Sequence, residues 1–330
     1  IFLGSINSDG YFVSRAGVAP CHNTSVTDMR TAVHTNGDDW QIIDVWAWEI
    51  FTYLCEIMCA NANFRSTFGR GFSESGGTAY AAKNTGTSVN VISITNADAA
   101  KFEVGQTISI GTDMWNYSIA MDRTITAIAD SSISGCKDLT FDGAAVNIDS
   151  SSMVWRAPQI TGKTVGMASA NGTAGANDGL HSVRCLYVED PYGMMHTGVD
   201  GMNLKFNSTD MCLEMYVCTD PSKYSDAYGT GYTKLSKTLA LSPTASNNEL
   251  SGYIKKEHFI REYPILQMPE DVSGGSETYE AAICWKNKNG QRPFFGGALD
   301  NGSDVSLRYR RCIAAFSNSY SGFGSRPLKR

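Results

Sequence analysis

A chain of 330 residues can hold one large core or two to three smaller domains, and its 42% hydrophobic and 18% charged content excludes intrinsic disorder. A net charge of −6 argues against a nucleic-acid partner, which would call for a basic excess. The most apolar stretch, residues 42–59, carries Asp44, Glu49 and Glu56, so no membrane insertion is expected.

The opening IFLGSINSDG has neither a basic n-region nor an apolar core, which predicts no secretory leader. Residues 1–37 follow as a polar arm without a clear period, with short apolar patches such as Tyr11-Phe12-Val13. Residues 38–60 predict the best helix of the chain, capped by Asp38 or Asp39. Its apolar positions Trp40, Ile43, Trp46 or Ala47, Ile50 and Leu54 recur at helical spacing, and apolar residues nearly surround it, so burial on most sides is expected. Residues 76–86 read as a linker. Short alternating segments then occupy 88–94, 101–111, 123–129, 138–143 and 144–148, the pattern of a small β-barrel or sandwich. Gly105 is placed to turn the chain ahead of the strand that starts at Thr107. Residues 158–330, rich in Tyr, Gly and Asn, predict short strands with long loops.

Signatures of catalysis are scarce. The nine cysteines include no CxxC and no zinc-finger spacing, and are expected to be mostly buried reduced thiols in a protein made in a cytoplasm. The five histidines form no metal-binding pair, and phosphate-binding glycine loops and nucleophile elbows are absent. Glu189, Asp190 and Asp200, with Glu214 and Asp220, are the carboxylates that glycosidic hydrolysis would draw on, without a second signature to support it.

The informative segment is 296–327, GGALDNGSDVSLRYRRCIAAFSNSYSGFGSRP. Its Gly296-Gly297, Leu299, Asn301-Gly302-Ser303, Val305-Ser306-Leu307, Ser317 to Ser319 and Gly324-Ser325-Arg326 are spaced as in the C-terminal segment of C-type-lectin-fold variable proteins encoded beside diversity-generating retroelements, which the chain resembles, most of all those of gut phages. A second block carries Glu189, Pro191, Gly193 and Val199-Asp200-Gly201-Met202-Asn203, and a third runs from Tyr216-Val217 through Asp220-Pro221 to Tyr224. The Trp-rich helix followed by Asn61, Asn63, Gly69 and Gly71 also fits. The chain departs where Leu299 and Ser325 replace the family's aromatics, and near Met195 and Thr197; Trp285, Phe294, Phe295 and Phe323 are the candidate substitutes.

The resemblance implies an α+β fold. An N-terminal region at 1–75 holds the helix and packs with a C-type-lectin-like domain of the formylglycine-generating-enzyme-like subtype at 158–330, and 76–157 is a β insert. It implies a phage tail protein, located on the virion, that attaches to a bacterial surface receptor, protein or glycan, through a hypervariable face. Contacts with other virion tail proteins and a homo-oligomer, a trimer, are implied with it. No catalytic activity, cofactor or metal is expected. The rivals are a non-receptor structural virion protein, such as a capsid decoration or tail adaptor, and a formylglycine-generating-type oxidase. The oxidase would need two close cysteines in the final strands, where only Cys312 stands, with Cys284 nearest.

Strand alternation assigns the face independently. Over 305–312, Val305, Leu307 and Tyr309 are expected in the core, and Ser306, Arg308 and Arg310 on display. Arg311, Phe316 and Tyr320, with Ala298, Asp300, Asp304 and Ser321 on the turns, complete the candidate ligand-binding set, an Arg–Tyr–Ser palette common at adaptable interfaces.

Overall fold

The structure, a computed structural model, describes residues 1–74, 77–114, 116–276 and 281–330. It is mixed α+β and mostly sheet. The chain divides into two compact units, one made of Ile1–Glu74 with Thr161–Arg330, the other of Ser75–Ile160.

In the Ser75–Ile160 unit, six strands hydrogen-bond in the order Tyr80–Ala81, Met153–Arg156, Thr107–Gly111, Ala120–Asp130, Cys136–Phe141 and Val91–Thr95. The Lys83 N–H donates to the Ser93 carbonyl, 2.7 Å, which nearly closes this sheet into a barrel. Ile92, Ile94, Ile108, Ile110, Ile125, Leu139 and Val154 fill the interior, the inward half of the alternation. Gly105 has φ +90 and makes the turn before Thr107. The linker expected at 76–86 is partly wrong: Gly76 lies outside the described residues, and Tyr80–Ala81 is an edge strand with Tyr80 buried against Phe102.

The other unit carries α1 (Val26–His34), α2 (Val45–Cys59) and α3 (Phe64–Phe68). Its main sheet has the order Leu250–Tyr253, Ile283–Lys286, Ser306–Ala314, Arg292–Gly296, His196–Gly198 and Phe323–Gly324. The 187–206 and 296–327 blocks therefore share one sheet, because His196–Gly198 pairs with both Phe294–Phe295 and Phe323–Gly324. Phe294 and Phe323 stack with centroids 4.0 Å apart. A second, three-stranded sheet runs Met202–Asn207, Cys212–Val217 and Thr233–Ala240. Two glycines have no substitute at the head of the C-terminal segment. Gly296 and Gly297 have φ +86 and +75, and a Cβ would stand 2.8 Å from the Pro191 carbonyl oxygen or from Val305 Cγ1 respectively.

The helix expected over 38–60 is shorter. Trp40–Ile42 is a strand paired with Pro327–Lys329. Asp44, not Asp38 or Asp39, caps α2 by accepting from the Ala47 N–H at 2.8 Å. The buried face is also different: Val45, Trp48, Glu49, Thr52 and Cys55 point inward, while Ile50, Leu54 and Ile57 are exposed. The inward glutamate is explained by what it meets.

Candidate functional site

Strand Ser306–Ala314 lies third of six, so both its edges are paired and both its faces are covered. Val305, Leu307 and Tyr309 are buried as alternation requires, with Trp48 Nε1 donating to the Leu307 carbonyl. The display expectation fails for the other face. Arg308, Arg310 and Ser306 are wholly buried, because α2 lies over them and presents carboxylates. Arg308 Nη1 donates to Glu49 Oε2 at 2.8 Å and Arg308 Nε to Glu56 Oε1 at 2.8 Å. Arg310 Nη2 donates to the other Glu49 oxygen at 2.9 Å. Glu257 Oε2 stands 3.8 Å from Arg308. Burial works against the charge of Arg308, but Glu49, Glu257 and Glu56 outweigh it and hold the guanidinium firmly protonated. Burial pushes the Glu257 carboxyl up, opposed by Arg308 and Arg310.

Ala298 and Ser321 are buried too, so they cannot touch a ligand from outside. Asp300 is exposed, and Asp304, Arg311, Phe316 and Tyr320 are half-buried. Asp304 accepts from the Tyr253 hydroxyl. Arg311 lies over the Trp285 ring at 4.8 Å and the Tyr320 ring at 5.9 Å.

Phe316 leads to a concavity that the sequence did not reveal. Its ring centroid is 5.9 Å from that of Tyr228, which is 5.2 Å from Tyr216. Tyr228 is the member of this run that lines a groove of about 600 Å³, together with Lys205, Phe206, Lys288, Gln291 and Asn318, among others. The site is positioned from four segments. Lys205 and Phe206 come from strand Met202–Asn207, and the Tyr228 hydroxyl is anchored on the Leu204 carbonyl at 2.8 Å. The turn at Asn287–Gly290 carries Lys288, and Gln291 accepts from the Phe316 N–H at 3.0 Å. Lys205 lies over the Tyr228 ring at 5.8 Å. Among the described residues, neither Lys205 nor Lys288 is paired with a carboxylate. The arrangement offers the rings of Phe206 and Tyr228, amides and two ammonium groups without a carboxylate partner among the described residues: the means to hold a polar or anionic ligand. Glu214, Asp220 and the 216–224 block of this region stood out in the sequence, and none of these pointed to Lys205, Phe206 or Tyr228.

The carboxylates that hydrolysis would draw on are occupied by structure. Glu189 accepts from the Gly162 N–H at 2.6 Å and from the Thr164 N–H and hydroxyl at 2.7 and 2.6 Å. Asp200 is locked between Arg30 and Arg292. Hydrogen bonds from Lys234, Asn207 and Tyr216 push the Glu214 carboxyl down to about 2, and Lys223 and Ser222 do the same for Asp220. His196 is buried between Tyr309 and Phe323 and is held neutral by burial. The sheet brings Cys284 and Cys312 into hydrogen-bond contact although 284–312 is a long separation in sequence; both thiols are fully buried and neither lines the groove. Groups of three or more His, Cys, Asp or Glu able to hold a metal are absent among the described residues.

Asp190 is different. Burial, then the neighbouring Glu189, pushes its carboxyl up to about 8, while its Oδ1 accepts from the Val183 N–H at 3.0 Å. The folded chain thus keeps a proton that the unfolded chain releases near pH 4. Stability should therefore fall as pH rises from about 4 to 8. Asp190→Asn is expected to remove that slope, a difference of about 3–4 kcal/mol between pH 5 and pH 8. Urea midpoints of both proteins across this range check it; equal slopes would show that Asp190 is ionised in the fold.

No family model matches the chain, and no curated protein matches it.

Proposed function

We propose that the protein is a phage virion receptor-binding protein that attaches to a bacterial surface ligand, and that its 158–330 region is a C-type-lectin-like domain. The reading rests on the resemblance of the C-terminal segment, and the observation that carries it is the groove beside Phe316, lined by Phe206, Tyr228 and two lysines that have no carboxylate partner among the described residues. Asp300, Arg311, Phe316 and Tyr320 supply the reachable part of the ligand-binding set; Arg308 and Arg310 shape the scaffold beneath. The reading is one of binding: Glu189, Asp200, Glu214 and Asp220 already serve the fold, and Asp190 is buried away from the groove lining.

Binding of labelled protein to host cells tests the reading. Tyr228→Ala should cost about 1–3 kcal/mol of affinity, the range of an interface anchor, and Lys288→Glu should weaken binding with an unchanged melting temperature. Wild-type binding by both variants would remove the groove from the function. The structural-virion alternative predicts instead that the groove is covered by another protein in the intact particle, which imaging of the particle would reveal.

A further inference from the structure

Cys55 on α2 and Cys185 at the end of strand Val183–Cys185 are 130 residues apart in sequence, yet their Sγ atoms lie 2.7 Å apart. Both side chains are wholly buried. Unbonded heavy atoms rest at about 3.5–4.0 Å, and a disulfide closes at about 2.0 Å. The two sulfurs are already well inside the first distance. Their hydrogen bond, then burial, holds the Cys55 thiol far above its ordinary value, so in the closed fold Cys55 stays protonated.

We propose that Cys55 and Cys185 form an oxidative cross-linking site, closed by a low-molecular-weight disulfide such as oxidised glutathione. One cysteine, as thiolate, attacks the glutathione disulfide and releases one glutathione thiol. The second cysteine then attacks the mixed disulfide and releases the other. The Cys55–Cys185 bond forms, the glutathione disulfide is cleaved, and its sulfurs take up the electron pair and the two protons. Cys59 is the rival partner, half-buried and one turn along α2. Side chains four apart on a helix hold their Cβ atoms about 5–6 Å apart, beyond the roughly 3.5–4.5 Å that a disulfide accepts. Cys185 is therefore the partner. The two cysteines flank Ser75–Ile160 in the sequence, so the bond closes a loop that contains that whole unit. A loop of this length constrains the unfolded chain strongly.

The test uses the full chain, purified with reductant and then divided. One portion is treated with oxidised glutathione in urea just below the unfolding transition, so that local opening admits the reagent to the buried pair. Both portions are alkylated under denaturing conditions and mapped by mass spectrometry. The expected result is a linked peptide pair containing Cys55 and Cys185, an alkylated Cys59, and a higher urea midpoint for the oxidised portion. Cys59→Ser should keep the link, and Cys185→Ser should lose both the link and the midpoint shift. The proposal is overturned if Cys55 and Cys185 are both alkylated after oxidation, or if Cys55 is found linked to Cys59. The wild-type map is informative even where a variant fails to fold.

Discussion

Arg308→Ala is expected to lower the stability of the unit that contains it by about 3–5 kcal/mol, the cost of breaking a buried ion pair from one side. The substitution would leave Glu49 with only Arg310, and Glu56 without the guanidinium that meets it at 2.8 Å. Glu257, already pushed up by burial, would lose its nearer cation, 3.8 Å away. Arg310→Ala should act in the same direction, because Arg310 also packs over the Phe295 ring at 4.2 Å. Arg311→Ala, at a half-buried side chain over Trp285, should cost far less. Urea unfolding of the three variants separates the readings. If Arg308→Ala folded with wild-type stability and lost only cell binding, the arginine would be a display residue after all. Replacing Glu49, Glu257, Arg308 and Arg310 together by apolar residues of similar volume should recover much of the loss, since the penalty lies in the stranded charge rather than in the absent pair.

The same strand shows how far the sequence could be read. Alternation located Val305, Leu307 and Tyr309 in the core, because a period of two decides which side chains share a face. It could not say that the opposite face is covered as well. That depends on α2, whose partner set lies some 250 residues away in sequence. Arginine on a strand normally signals solvent, and here Glu49 and Glu56 turn inward to meet it. The consequence reaches α2 itself. A helix with only two charged residues, both facing inward, must leave apolar side chains outside, and Ile50, Leu54 and Ile57 are there. Hydropathy periodicity assigned Ile50 and Leu54 to the core, since it has no way to weigh a buried ion pair against an apolar stripe. The β insert was easier, because the alternation inside each short strand marks its inward face and its turns carry their own glycines. The groove was hidden for the opposite reason: Lys205, Tyr228, Lys288 and Asn318 come from separate segments, and no local pattern joins them.

A second buried network should be as costly to break. Asp200 is wholly buried, accepts from Arg30 Nη2 at 2.6 Å and Nε at 2.9 Å, and from Arg292 Nη1 at 2.8 Å. Its backbone carbonyl also accepts from the Val45 N–H at the start of α2, at 2.9 Å. Asp200 thus ties α1, α2 and the main sheet to one point. Asp200→Asn preserves the shape and removes the charge, leaving two buried guanidiniums to share the half-buried Asp226. A loss of about 3–5 kcal/mol is expected. The pH dependence gives the sign independently. Burial would raise the Asp200 carboxyl, but Arg292 and Arg30 outweigh it and hold it below the ordinary aspartate value. A depressed carboxylate contributes stability that is fully present above its unfolded pKa of about 3.9 and is lost as pH falls through the lower folded value. Wild-type protein should therefore lose stability on acidification below pH ~4, and Asp200→Asn, less stable at neutral pH, should lose less of what remains. Equal acid sensitivity of the two proteins, measured by urea midpoints between pH ~2.5 and 6, would show that the Arg30–Asp200–Arg292 network does not govern the acid limb.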